Sequence, residues 1–303
     1  MMGPWSRADI GDLTGRVAMV TGASDGLGLA TTAALTDAGA RVVMACRSGD
    51  KGERARRGLR RSSAAGVALV DLSDLASVLA FAERILDAEP QLDLLINNAG
   101  VMTPPAALSP DGVELQWATN HLGHFALTGL LHELLLATPG SRIVAVSSLA
   151  ATSGDLDRSD PTSLDGYRRM ARYADSKLAN LVFAVELDRR LRRRPASTIA
   201  VAAHPGITHT NLTSGVGLRW LTPALKTVSK LTTQPVAVGA LPILRAAVDP
   251  EISGGTYIGP AGRDQRRGHP VEVPIPPKAA DPEAGSRLWR RSVELCGIDW
   301  LAD

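Results

Sequence analysis

Short apolar runs alternate along the 303 residues with longer stretches in which apolar positions recur every three to four residues. The runs are RVAMVTG (16–22), ARVVMACR (40–47), GVALVDL (66–72), LDLLINNAG (92–100), SRIVAVSS (141–148) and STIAVAAHPG (197–206). Runs this short and continuous, bounded by polar and turn-forming residues, predict strands buried on both faces. Helical periodicity covers about 27–38, 50–61, 74–88, 111–137, 170–194 and 235–248. Strand and helix alternating at this spacing predict right-handed crossovers and a parallel sheet with helices on both faces. GGTYIG (254–259) would add a seventh strand, and the Pro-rich HPVEVPIPPKAADPEAG (269–285) reads as a surface loop before a final short helix. With no internal repeat or low-complexity linker, the expectation is one doubly wound α/β domain over 1–303, with a parallel sheet of about seven strands.

Composition changes this picture little. The chain is 45% hydrophobic and 21% charged with a net charge of +2, an ordinary globular balance that calls for neither nucleic acid nor an anionic membrane as partner. RARRGLRR (54–61) and RRLRRR (189–194) are locally basic, but both fall in helical stretches and read as solvated faces. Cys46 and Cys296 are far apart and lack metal-ligand spacing, so neither a disulfide framework nor a metal site is expected, and a reducing compartment fits. The first sixteen residues, MMGPWSRADIGDLTGR, lack the apolar core of a signal peptide, and no run of about 18 apolar residues is available to span a bilayer. The expected location is cytoplasmic.

The candidate chemistry collects at the strand ends, where open α/β sheets bind their ligands. RYADSKLAN (172–180) places Tyr173 and Lys177 four apart, hence on one helical face, where a cation beside a phenol makes its proton more available. TGASDGLG (21–28) follows the first strand and opens a helix. Its Gly22, Gly26 and Gly28 permit a tight turn and close approach to a pyrophosphate. At the end of the second strand stands Arg47, where a fold specific for NAD would carry an acidic residue for the ribose 2′-hydroxyl. A guanidinium suits a 2′-phosphate and favours NADP(H) over NAD(H), while the carboxylate of Asp25 in the Gly-rich turn weighs against it.

Several motifs in a fixed order resemble the short-chain dehydrogenase/reductase family: TGASDGLG (21–28), DL (71–72), NNAG (97–100), Asn120 in WATNHLGHF, Ser148 of VAVSS, YADSK (173–177) and HPG (204–206). ACRS, NHLGHFALT and YADSKLANLVF are most similar to its retinol-dehydrogenase-like branch and that branch's soluble bacterial relatives. The resemblance spans roughly 14–260 and implies a Rossmann-type fold. It further implies a catalytic tetrad of Asn120, Ser148, Tyr173 and Lys177, with Asn120 holding a water that connects Lys177 to solvent. The cofactor would lie against Gly22, Ser24, Asp25, Gly26, Leu27 and Gly28, with Asp71 and Leu72 flanking the adenine. Asn98, Ala99 and Gly100 would line the cleft, and Pro205, Gly206, Thr208 and Thr210 would run beside the nicotinamide. A homodimer or homotetramer is implied as well.

The tetrad also makes chemical sense by itself. Carbonyl reduction needs hydride at carbon and a proton at oxygen, so Tyr173 would be the acid, Lys177 its electrostatic activator and Ser148 the group orienting the carbonyl. Ser147 competes with Ser148 as the active hydroxyl, and Asn120 has a purely structural alternative. His121, His124 and His209 do not form a metal-binding pattern and are expected to be solvent-facing or hydrogen-bonded. The 25 residues from Ser148 to Tyr173 hold an insertion, about 153–170, expected to shape substrate access. Leu218, Trp220, Leu221 and Leu225 mark 212–234 either as an apolar lid or as core packing. The reaction expected is interconversion of a ketone or aldehyde with its alcohol, on a bulky apolar or polyketide-like carbonyl compound. Redox-neutral epimerisation with bound NADP and non-catalytic cofactor binding are the competing expectations.

Overall fold

All five residues of β1 (Val17–Thr21) are buried, as a strand covered on both faces requires. Val17 and Met19 enter one apolar core with Phe81, Phe125 and Val182, whereas Ala18 and Val20 enter a second with Leu35 and Ile243. The computed structural model describes residues 3–158, 160–208 and 234–301. After β1 come α1 (Gly26–Asp37), β2 (Arg41–Cys46), α2 (Gly49–Arg57), β3 (Ala65–Leu69), α3 (Leu75–Ala88) and β4 (Leu94–Asn97). A broken helical segment follows: α4 (Leu115–Trp117), a π-helical turn (Ala118–Leu122), α5 (Gly123–Leu130) and α6 (His132–Ala137). The second half contains β5 (Arg142–Val146), α7 (Arg169–Leu191), β6 (Ile199–Ala203), α8 (Val236–Gly239) and α9 (Leu241–Val248). It closes with β7 (Tyr257–Pro260), β8 (Pro270–Glu272), α10 (Pro277–Ala280) and α11 (Pro282–Cys296).

The strands form one sheet in the order β3-β2-β1-β4-β5-β6-β7-β8, parallel throughout except for β8 against β7. This is the expected single α/β domain of Rossmann type. The chain reverses its direction of progress between β1 and β4, which opens a crevice at the carboxyl ends of those two strands.

Among the described residues eight strands form, close to the seven expected, and the additional one comes from the Pro-rich segment read as a loop. Val271 pairs with Gly259 at the sheet edge, where a proline's missing N–H is tolerated. Pro277 and Pro282 then stand at the first positions of α10 and α11, where a fixed φ favours helix initiation. Asp281 caps α11 by accepting from Glu283 N and Ala284 N, and that helix runs for 15 residues rather than being short. The helix predicted over 111–137 begins only at Leu115, because an isolated bridge pairs Leu108 with Glu114, and it is interrupted by the π turn.

The C-terminal segment packs back onto the helices. Trp289 and Trp300 lie 5.0 and 5.4 Å from the Phe125 ring, and the Arg190 guanidinium sits 4.3 Å over Trp289 while donating to Leu301 O. Gly129 leaves room for the Trp300 indole, whose Nε1 would lie 2.5 Å from a Cβ there. Thr210, His209 and, apart from Gln234, the lid candidate 212–234 lie outside the described residues.

Candidate active site

The turn after β1 takes its shape from glycine. Gly22 and Gly26 have φ of 67° and 52°, in the left-handed region. At Gly28 a Cβ would collide with Gly22 O and lie 2.7 Å from Asn98 Nδ2, so only hydrogen fits. Asp25 caps α1, its carboxylate accepting from Gly26 N at 2.7 Å. Thr21 stitches the crevice: its Oγ1 accepts from Asn98 N at 2.8 Å and Ala99 N at 2.9 Å, and Asn98 Nδ2 donates to Thr21 O. A backbone cradle at the N-terminus of a twelve-residue helix, closed by this second loop, fits the pyrophosphate of a dinucleotide.

Around the cradle, Ser24 hydrogen-bonds the Cys46 thiol, which burial pushes above its usual pKa. Leu27 is half-buried, with Cδ2 3.2 Å from the Cβ position of Gly239. Arg47 projects, exposed, at the end of β2 and makes no hydrogen bond or ion pair among the described residues. Asp71 turns its carboxylate onto Ser73 N and Oγ, and Leu72 is buried against Gly123.

The four tetrad candidates converge from three elements. Ser148, just past β5, accepts from Ala150 N at the start of a short turn and faces Tyr173 on α7. Tyr173 and Lys177 are 6% and 4% exposed, one helical turn apart. Burial pushes the Tyr173 hydroxyl above the usual tyrosine range, and the Ser148 hydroxyl, rather than the expected Lys177 ammonium, is the group that opposes this. Lys177 donates from Nζ to Val146 O at 3.0 Å, and burial lowers it to about 8. Gly100 packs beside both remaining members: a Cβ there would lie 3.1 Å from Asn120 Oδ1 and 3.4 Å from Lys177 Nζ.

Asn120 sits in the π turn, a distortion frequent at functional sites. Its Oδ1 accepts from Val101 N at 2.7 Å, and its Nδ2 donates to Val101 O and to Ser176 Oγ. Its main-chain oxygen faces the His124 ring, 2.9 Å from Nδ1. Ser147 separates from Ser148 cleanly: its hydroxyl donates to Lys177 O at 2.7 Å and is buried in the β5–α7 packing.

On the far side of the crevice, Pro205 and Gly206 follow β6, with Gly206 at φ 66° against Arg266 O. Thr208 donates to Pro205 O, as does Gln234 Nε2 at 2.7 Å. The described site candidates thus lie together at the carboxyl edge of the sheet. Sequence reading passed over several supporting groups. Thr21 was visible as the first residue of the Gly-rich motif, and Asn180, three residues after Lys177, also donates to Val146 O. Tyr257 gave no signal; it is buried, hydrogen-bonds Ser147 and lies near enough to Tyr173 for the two phenols to raise its pKa together with burial. His121 and His124 are hydrogen-bonded as expected but fully buried rather than solvent-facing.

A cavity of about 350 Å³ lies elsewhere, between the 153–170 insertion and α11, with Trp117, Leu156, Asp160 and Arg291 in its walls and no tetrad residue. Among the described residues no helix is long and apolar enough to cross a membrane.

The profile of the short chain dehydrogenase family matches residues 16–218. Human retinol dehydrogenase 14 is 37% identical over 309 residues, an alignment covering 96% of this chain and 89% of the human protein. Human retinol dehydrogenase 12 is 38% identical, with coverage of 95% and 88%. The crystal structure of an uncharacterized protein from Mycobacterium paratuberculosis superposes with a TM-score of 0.82 at 36% identity, covering 98% of this chain and 99% of that one. With the crevice, the ordered motifs and these relatives in agreement, the chain belongs to the short-chain dehydrogenase family, in its retinol-dehydrogenase-like branch, and so among the NAD(P)-dependent alcohol/carbonyl oxidoreductases.

Proposed function

We propose that this chain is an NADP(H)-dependent carbonyl reductase acting on a bulky, apolar ketone or aldehyde. The observation that carries the reading is the meeting of Ser148 and the buried Tyr173 hydroxyl, one helical turn from an ammonium packed against Gly100. Gly22, Ser24, Gly26, Leu27 and Gly28 would hold the pyrophosphate side of NADP(H), with Asp71 and Leu72 by the adenine. Asn98, Ala99, Pro205, Gly206, Thr208 and Thr210 would line the nicotinamide side. When bound, the nicotinamide supplies or accepts the hydride.

The residues of the chain manage the proton. Burial keeps the Tyr173 phenol protonated at neutral pH, ready to donate to the carbonyl oxygen as charge builds there. The Ser148 hydroxyl orients that oxygen and shares its charge. Lys177 stays predominantly protonated below about 8, a cation directed at Val146 O and the Gly100 backbone, where a ribose would lie. Asn120 would hold the water that returns a proton to Lys177.

NADP(H) over NAD(H) is supported by Arg47, exposed beside Ser48 and the start of α2, with its guanidinium uncommitted among the described residues. The carboxylate of Asp25, turned onto Gly26 N, is engaged in capping α1. A bulky apolar substrate is supported by Leu108 and Met170, 45% and 55% exposed, whose neighbours Ala107 and Arg169 are held by Leu115 N and Gln116 Nε2 of one short helix. The retinol-dehydrogenase relatives, named for an apolar alcohol, agree. The insertion, through Tyr167 OH on Pro104 O, would form one wall of the substrate passage.

The test is oxidation of NADPH and NADH against bulky ketones, quinones and aldehydes, with Tyr173→Phe in parallel. The variant should lose at least about 100-fold in kcat with NADPH affinity unchanged. Binding of NADPH by both proteins with no turnover across the panel would overturn the reductase reading.

A further inference from the structure

The turn 98–101 is gripped at both ends. At its near end Asn98 N and Ala99 N donate to Thr21 Oγ1, and at its far end Val101 N and O meet the side chain of Asn120. Between the two grips lies Gly100, against Asn120 Oδ1 and Lys177 Nζ. One buried side chain connects the grips. The ring of His124, one turn after Asn120, stands 2.9 Å from Asn120 O through Nδ1 and 2.8 Å from Thr21 Oγ1 through Nε2.

The partners decide the tautomer. A main-chain carbonyl has no hydrogen to give, so Nδ1 carries the proton and Nε2 is bare. Thr21 Oγ1, already accepting two N–H groups, then gives its own hydrogen to Nε2, a better-placed acceptor than Ile96 O at 3.3 Å. Each group in the set is used in the sense its chemistry allows. One turn further on, Thr128 Oγ1 donates to His124 O and accepts from Asn97 Nδ2, so positions 120, 124 and 128 tie one helix face to the segment 97–101.

We propose that His124 is a positioning residue whose neutral ring, bridging Asn120 O and Thr21 Oγ1, holds the cofactor-side turn 98–101 and the catalytic Asn120 in a single register. Burial keeps the ring uncharged to about pH 4, so it does not ferry protons; it fixes distances. Without it, each grip on the turn would loosen and the two would move independently, and Gly100 would no longer be held against Lys177. This inference rests on reading 98–101 and Asn120 as cofactor and catalytic groups.

Two isosteres separate the arms. His124→Asn places an amide nitrogen near the Nδ1 position and keeps the bond to Asn120 O, whereas His124→Gln reaches the Nε2 position and keeps the bond to Thr21. His124→Leu removes both. The purified full-length variants would be compared by amide hydrogen exchange at 98–101 without cofactor, by fluorescence titration with NADPH and by thermal melting. Loss of the Thr21 arm in His124→Asn should speed exchange at Asn98 and Ala99 and weaken NADPH about tenfold. Loss of the Asn120 arm in His124→Gln should speed exchange at Val101 with NADPH affinity within about twofold of wild type. His124→Leu should show both. A His124→Leu protein with wild-type protection at 98–101 would overturn the proposal. So would Asn and Gln variants whose exchange and affinity change together, in step with melting temperature, since that is the mark of lost packing. If the wild type binds no NADPH, the functional reading fails while exchange at 98–101 still decides whether the clip exists.

Discussion

At the end of β1 the turn through Gly22, Gly26 and Gly28 is shaped by its own neighbours: the missing Cβ of Gly28 makes way for Gly22 O, six residues before it. At the end of β6 the corresponding turn, 204–208, is held from a distance. His204 meets Gln265, 61 residues on, Ile207 N donates to Arg266 O, and Gln234 joins Pro205 O to Gly268 N. Gly259 is required there only because a Cβ would strike the His204 ring. The first turn is a local backbone device that fails sharply when a methyl is added. The second has its own glycine at 206 but adds long-range side-chain bonds from His204 and Gln234 that can be lost one at a time.

The largest effect expected spans both regions. His124 at the first turn, His204 at the second and His121, bonded to Ser292 on α11, are buried, which lowers them from 6.5 to about 4, 4 and 3. The unfolded chain binds protons at these sites where the folded chain does not. Stability should therefore be fully present above pH 6.5 and fall steeply as pH drops through about 4, as urea unfolding at stepped pH would measure. Lys177 acts at the other end of the scale: lowered from 10.5 to about 8, it costs stability below 8, a cost relieved as pH rises toward 10.5.

Next in size, Gly28→Ala should weaken NADPH by at least about 100-fold, because backbone rather than a flexible side chain must yield; fluorescence titration would show it. Gln234→Leu should cost about 1–3 kcal/mol of stability by stranding Gly268 N and leaving Pro205 O to Thr208 alone, with less than about a tenfold loss in NADPH affinity. If Gln234→Leu proved as damaging to binding as Gly28→Ala, the contrast between the turns would fail. Arg47→Ser should be mildest, weakening NADPH by about tenfold while leaving NADH unchanged in parallel titrations.

Much of this was legible in the sequence where the constraint is local. The strands showed as apolar runs because both of their faces are buried, and α1 and α3 fell within a residue of the stretches predicted for them. Tyr173 and Lys177 share a face because helical pitch puts them there. The Pro-rich tail misled because a proline marks a loop, a sheet edge or a helix start, and its neighbours in space decide which. Pro270 found an edge in β7, whereas Pro277 and Pro282 found helix starts.

The sequence by itself determined the alternation of strands and helices, the glycine-shaped turn and the spacing of the phenol and ammonium, since each depends on dihedral preferences and periodicity within a few residues. Tertiary structure alone decided that Ser148 faces Tyr173 while Ser147 braces α7, and that Arg47 stays uncommitted among the described residues. It alone set His124 between Thr21 and Asn120, 103 residues from the first and four from the second. Those outcomes depend on which groups are dehydrated together, and dehydration is a property of the packed chain.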